Sequence, residues 1–459
     1  MPQFVDEPLL RRAHDRAVDF LRALPQRSVG ARASRQDLLA ALSVPLSDEG
    51  EDAPQVIDAL SRGAEGGIMG SAGPRYFGFV IGGSLPVALA ADWLTSAWDQ
   101  NCGIFVTSPA VSVIEEISRE WLLELFDLPR TASVGFVTGG QMANFTALAA
   151  ARHAVLRSAG WNVEEDGLIG APPVNVIVST EAHITIYSSL RMLGFGKRVQ
   201  QVATDEQGRM LPAELRRVLA SLSGPIIVCS QAGNVNTGSV DPIGEIAPIV
   251  HERGGWLHVD AAFGLWGRAS REKRALLEGA ELADSWGTDA HKWLNVPYDS
   301  GIVIVRDSAA HRASMTVTAE YLEQSAGKER DPFDWAPEFS RRGRAIPIYA
   351  ALRHLGRRGV ESLVDRLCAR ARQMAALLAR HKRVRILNDV VLNQVLVRFA
   401  DSDETTRAVI VNAQKEGTCW MAGTTWHAMA AMRISVSNWA TSEEDIERSA
   451  AAILRGLPG

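Results

Sequence analysis

A lysine acts as a nucleophilic amine when it is held in place with a lowered pKa. The segment DSWGTDAHKWLNVPYDSG can do both for Lys292. Read as a loop at the end of a strand inside an enclosed site, it presents an amine able to form a Schiff base with an aldehyde. Upstream, GWLHVDAAFG reads as a buried strand ending in Asp260. Carboxylates at the C-terminal ends of such strands face ligand crevices. Against an aromatic ring nitrogen, an anion keeps the nitrogen protonated, and the ring can then accept an electron pair. Ala262 shares the strand face with Asp260 and is small enough to let a flat ring lie close.

Three further segments add to this pair. TGGQMANFTALAAAR follows the run VGFV and opens a helix, so Gly140, Gln141 and Met142 can turn backbone N–H groups and a helix dipole towards a phosphate. No GK[ST] ends the turn and no full GxGxxG is present, which excludes the nucleotide-hydrolase and dinucleotide fingerprints. His183 follows VNVIVST and can stack on a planar ring. Asn234, in QAGNVNTGSVDPI, can donate to a phenolic oxygen. Each feature has a commoner explanation when taken singly: a surface lysine, a capping Asp or His, a tight turn, an Asn in a turn. Found together, in chain order and each at a strand end, they point to pyridoxal 5'-phosphate (PLP), with its phosphate, ring, phenolic oxygen, pyridine nitrogen and aldehyde each matched.

These residues need a scaffold. Short apolar runs (VGFVTG, VNVIVST, PIIVCSQAG, GWLHVDAAFG, SGIVIVRD) alternate with longer helical stretches between about 76 and 310, which is the pattern of a mainly parallel sheet covered by helices. Apolar spacing predicts an amphipathic helix from Glu7 to Leu24, ended by Pro25. The segment AALRHLGRRGVESLVDRLCARARQMAALLARH reads as two helices separated near Gly356 and Gly359. A smaller α+β unit follows, with strands in VVLNQVLVRFA and AAMRISVSN and a last helix opened by a capping box at Thr441–Glu444. Four segments are expected: a helical arm (1–75), a large cofactor-binding domain (76–315), an active-site loop and connection (316–344) and a small C-terminal domain (345–459).

The composition, 46% hydrophobic and 22% charged over 459 residues, suits a globular chain of more than one unit. A formal net charge of −5 supplies no basic field for nucleic acid. The four cysteines (Cys102, Cys229, Cys368 and Cys419) show no metal-ligand spacing and read as free thiols of a reducing compartment. The N-terminal segment MPQFVDEPLLRRAHDR shows no apolar core and no small-residue cleavage site, so no secretory leader is expected. The most apolar stretch, GFVIGGSLPVALAADWL, contains Pro86, three glycines and an aspartate, so no membrane span is expected either, and the location expected is cytoplasmic.

The chain resembles the group II PLP-dependent decarboxylases, which include aromatic-amino-acid and glutamate decarboxylases. DAHKWLNVPYDSG and HVDAAFG are the most specific segments, joined by PRYFGFVIGG, SPA at Ser108–Ala110, SRRGRAIPIYAALRHLG and MRISVSNWATSEEDI. The resemblance implies fold type I, the aspartate aminotransferase-like fold of PLP-dependent transferases, in a homodimer with active sites at the interface and an arm wrapping the partner. It implies Lys292 as the Schiff-base lysine, Asp260 as the pyridine partner, His183 as the stacking imidazole and Ala262 beneath the ring. Gly140, Gln141 and Met142 would hold the phosphate, with His291 beside it, and Asn234 stands where many members have Thr. Phe79, Val80 and Ile81 would line the substrate pocket, joined by Ile104 and Phe105 from the partner. The implied activity is decarboxylation of an aromatic or apolar L-amino acid through an external aldimine and a quinonoid, with no metal. One departure leaves the outcome open. The stretch GKERDPFDWAPEFSRR has Pro332 and Phe333 but no Tyr where aromatic-amino-acid decarboxylases carry a proton-donating one, and Tyr321 lies earlier. Oxidative deamination to an aldehyde, carbon–carbon bond formation and a non-catalytic PLP-binding role are the alternatives.

Overall fold

The structure, a computed structural model, describes residues 5–316 and 329–458. Seven strands form its larger sheet: β1 (Ser133–Val137), β2 (Asn175–Ser179), β3 (Gln200–Val202), β4 (Ile226–Gln231), β5 (Trp256–Asp260), β6 (Ser285–Asp289) and β7 (Gly301–Val305). Their order is β1-β7-β6-β5-β4-β2-β3, and only β7 runs antiparallel to its neighbours. Helices cover both faces, so every residue of β1, β4, β5, β6 and β7 is buried. That burial explains why the sequence shows continuous apolar runs here instead of alternation. Because β1, β2, β4, β5 and β6 point the same way, their C-terminal ends share one edge of the sheet. The candidate lysine, carboxylate, imidazole and glycine turn all lie there. β6, with the sequence SWGTD, is the strand that leads to Lys292, although it carries too little apolar character to stand among the apolar runs.

The second sheet is antiparallel, in the order β10-β11-β9-β8, from β8 (Val384–Ile386), β9 (Gln394–Phe399), β10 (Ala422–Trp426) and β11 (Met429–Ser435). The helix Ala345–Ala379 reaches it from the larger sheet and is broken at Gly356, whose φ of +60° favours glycine. The two helices expected around this glycine are thus present. The last helix, Glu443–Arg455, is capped one residue later than the sequence suggests. Ser442 and Asp445 form the capping box, while Thr441 donates its hydroxyl to the Pro74 carbonyl.

The helix Glu7–Ala23 appears where periodicity places it. Neither it nor the helices Arg35–Leu42 and Ala53–Ala64 buries a single residue. Leu10, Leu42, Val56 and Leu60 are all exposed.

Candidate active site

Lys292 follows β6 in a loop held from several sides. The Asn295 amide donates to the carbonyls of Lys292 (3.1 Å), Trp293 (2.9 Å) and Ser437 (3.1 Å), which ties the loop to the smaller unit. A Cβ at Gly82 would stand 1.8 Å from the Lys292 carbonyl oxygen, so only glycine lets that segment pass. Lys292 Nζ lies 2.7 Å from Asp289 Oδ2, a carboxylate 1% exposed at the end of β6. A half-buried amine paired with a buried anion is held in position.

Asp260 ends β5, buried, with the Ala262 N–H donating to its Oδ1 at 3.3 Å. Burial raises its pKa, and His183 and Lys292 pull it back. His183 is the N-cap of the helix Ile184–Met192, so the commoner capping role and the cleft-facing role coincide in one residue. Its Nδ1 lies 2.9 Å from Thr185 Oγ1. Burial depresses its pKa against the pull of Asp260, favouring the neutral imidazole.

A cavity of about 390 Å³ joins these groups to the glycine turn, with Gly139, Gly140, Gln141, Met142, Asp260 and Lys292 among its walls. Ala262, His183 and His291 also line it. A Cβ at Gly140 would come within 2.8 Å of Asp289 Oδ2, so the cradle stays open only because the helix Gly140–Ser158 begins with glycine. His291 Nδ1 accepts from the Ser300 amide (3.1 Å), which leaves the proton on Nε2, 3.2 Å from Asp289 Oδ1. Asp289 is a site residue that the sequence reading overlooked; its signal was an acid three positions before the lysine.

On the other side of His183, Asp260 and Lys292 lies a smaller cavity of about 240 Å³, walled by Phe79, Val80, Val235 and Phe263, with Gln231 and Arg433. Phe79 and Val80 hold φ of +53° and +60°, conformations that bulky side chains rarely adopt and that cluster at functional sites. Ile81, Ile104 and Phe105 line neither cavity of this chain. Asn234 lines neither cavity. It is fully buried beneath the cleft wall, and its Oδ1 accepts from the amides of Asn236 (2.9 Å) and Thr237 (3.1 Å). It therefore builds the turn, and the next residue, Val235, reaches the cavity. Phe333 is also out of reach: it is 2% exposed and packed against Phe339 at 5.3 Å. Tyr321 lies outside the described residues.

Arg433 is the most informative addition. It sits on β11 with its guanidinium 5.9 Å from the Phe79 ring centre, and among the described residues it has no ion-pair partner. Its Nε is buried without a hydrogen bond. An arginine inside the apolar strand MAAMRIS was a visible signal, because buried arginines are rare unless paired or waiting for a ligand.

The open glycine cradle, the buried carboxylate, the capping imidazole and the anchored amine fit PLP in size and donor chemistry. Together with the sheet order they define a fold type I PLP enzyme. Residues 36–400 match the pyridoxal-dependent decarboxylase conserved domain, and the chain belongs to that family, the group II PLP-dependent amino-acid decarboxylases. It is 27% identical to the aromatic-L-amino-acid decarboxylase of Bacillus atrophaeus over 412 residues, 88% of this chain and 84% of that one. It is 32% identical to the L-2,4-diaminobutyrate decarboxylase of Rhizobium meliloti (strain 1021) over 345 residues, 71% of this chain and 67% of the other. The crystal structure of Oryza sativa TDC with PLP and tryptamine shares the fold at a TM-score of 0.91, with 23% identity and 99% of both chains covered.

Proposed function

We propose that this decarboxylase acts on an L-amino acid with an uncharged, apolar or aromatic side chain and releases the amine. The observation that carries this reading is the charge inventory of the smaller cavity. Its cationic side chains are Lys292 and Arg433, and its one carboxylate is Asp260. Lys292 serves the cofactor, so one cation remains for one substrate carboxylate. An acidic substrate would need a second cation, and a basic one would need an acid not already engaged. The walls of Phe79, Val80, Val235 and Phe263 favour an apolar side chain.

When bound, PLP supplies a protonated ring that takes up the electron pair of the breaking carbon–carbon bond. The protein's own residues do the rest. Lys292 holds the cofactor and yields its place to the substrate amine. Asp260 keeps the ring nitrogen protonated, His183 covers the ring face, and the turn at Gly140–Met142 holds the phosphate with His291 beside it. Arg433 orients the carboxylate. The acid that delivers the final proton to the substrate carbon is then sought at His183 or on the partner subunit, since Phe333 is packed away. The decisive assay incubates holoenzyme with individual amino acids and identifies CO2, amine, aldehyde and ammonia. Amine from tryptophan-, tyrosine- or phenylalanine-like substrates is the expected result, and turnover of only glutamate or diaminobutyrate would overturn the reading. Arg433→Met should lower kcat/KM roughly 10- to 100-fold, the size of a lost charge-assisted pair. An unchanged kcat/KM would remove Arg433 from carboxylate binding.

The dimer belongs to the same proposal. The exposed leucines and valines of the three arm helices, with Trp93, Leu94 and Trp98 beyond them, form an apolar surface that a second copy would cover. Ile104 and Phe105, absent from the cavity of their own chain, suit the role of walls lent to the partner. Removing residues 1–25 should produce aggregation and lost activity, because it also removes the Pro25 carbonyl that accepts from Arg75 at 2.6 Å. A monodisperse, fully active truncated protein would argue against the wrapping arm. The four cysteines are free and buried, which supports a reducing, cytoplasmic setting.

A further inference from the structure

Behind Asp260 runs a chain of polar groups that reaches the wall of the larger cavity at Asn144 and Thr185. The Trp256 indole Nε1–H donates to Ser285 Oγ at 2.9 Å, and Ser285 Oγ lies 3.0 Å from His258 Nδ1. His258 Nε2 lies 3.0 Å from Asn144 Oδ1, Asn144 Nδ2 donates to Thr185 Oγ1 at 3.3 Å, and the Asn144 side chain pulls the pKa of the neighbouring Asp260 down against burial. Thr185 Oγ1 in turn lies 2.9 Å from His183 Nδ1. His258, Ser285 and Asn144 are at most 1% exposed, so no solvent competes for these bonds.

Both ends of the chain fix its direction. An indole can only donate, and His183 Nδ1, which takes the Thr185 backbone N–H at 3.4 Å, can only accept. Thr185 Oγ1 therefore gives its proton to His183 Nδ1 and must accept from Asn144, so the Asn144 amide presents its nitrogen to Thr185 and its oxygen to His258. His258 must then carry its proton on Nε2 and accept at Nδ1. Ser285 can supply that proton because its oxygen already accepts from Trp256. Reversing the chain would set Asn144 Oδ1 against a Thr185 oxygen whose proton already goes to His183, acceptor against acceptor. Thr185, accepting from Asn144, likewise turns its own O–H to His183 Nδ1 and leaves the His183 proton on Nε2. The site is built for this contact: a Cβ at Gly287, the register partner of Asp260, would stand 2.6 Å from Asn144 Oδ1.

We infer that His258 is a positioning residue for the decarboxylation: through Asn144 it aims an N–H at Asp260, keeping that carboxylate an anion facing the ring nitrogen, and it sets the tautomer of His183. This rests on the assignment of Asp260 to the ring nitrogen proposed above. Burial drives the His258 pKa down to about 3, consistent with a neutral, directional imidazole.

The test uses holoenzyme loaded with PLP carrying 15N in the pyridine ring, read by NMR alongside kcat. His258→Leu keeps the bulk but removes the donor. It should move the nitrogen resonance towards the unprotonated position and lower kcat about tenfold or more, the scale of one hydrogen bond to a charged group. His258→Gln places an amide N–H where Nε2 stands and should restore both readouts to within about threefold. Trp256→Phe, at the far end, should shift the resonance in the same direction by less, and it carries the test if His258→Leu does not fold. A protonated nitrogen that ignores both His258→Leu and Trp256→Phe overturns the relay alone. Equal losses in His258→Leu and His258→Gln with unmoved resonances would mean a packing role and also overturn it. An unprotonated nitrogen in the unsubstituted holoenzyme overturns the Asp260 assignment, and the relay falls with it.

Discussion

Lys292→Ala is expected to abolish borohydride trapping of the cofactor on this chain and to reduce turnover by roughly 10³-fold or more, the usual scale for removing a covalent catalytic group. The unsubstituted protein should instead carry the reduced cofactor on the peptide containing Lys292. The expectation rests on geometry: this lysine lies between the buried Asp260 and the glycine turn, in a loop held by Asn295 at three carbonyls. The substitution also leaves the buried Asp289 without its 2.7 Å partner, so the variant should be less stable even without cofactor. Trapping on any other lysine, or full turnover by the variant, would dismantle the site assignment.

Much of this site was legible because its chemistry demands particular residue types at strand ends. Lys292, Asp260, His183 and the glycine turn are legible in this way, since a strand of VNVIVST or GWLHVD type declares its own C-terminal end. What stayed hidden depends on three-dimensional direction. Asn234 and Val235 are adjacent in a turn, and only the fold decides that the valine faces the cavity while the asparagine binds backbone amides beneath it. Arg433 comes from a strand some 140 positions beyond Lys292 in sequence order, and its lack of a partner is a property of packing. β6, the strand end implied before Lys292, is absent from the apolar runs because Ser285, Gly287 and Thr288 are small, a composition that suits close packing around Asn144. The shift of the final capping box from Thr441 to Ser442 has a similar cause: Thr441 is claimed by the Pro74 carbonyl, a tertiary contact that local spacing cannot reveal.

Asp260→Asn should lower kcat on the order of 10²- to 10³-fold at saturating PLP, the scale expected when one preorganised electrostatic partner is lost. Asparagine keeps the shape of aspartate and can still accept the Ala262 N–H, but it carries no charge. The ring nitrogen then loses its anion and tends to lose its proton, which weakens the sink for the electron pair. The cost is large because Asp260 is 7% exposed and water cannot replace the missing charge. Gly140→Val provides the contrasting case. Its side chain would meet the Asp289 carboxylate within 2.8 Å and close the phosphate cradle, so its main effect should be a weaker affinity for PLP, with the smaller share of the loss in kcat. Measuring PLP dissociation and kcat at saturating cofactor for both variants separates electron withdrawal from anchoring. If Asp260→Asn lost PLP and kept its turnover once saturated, the carboxylate would be an anchor and the charge beneath the ring would have to come from elsewhere.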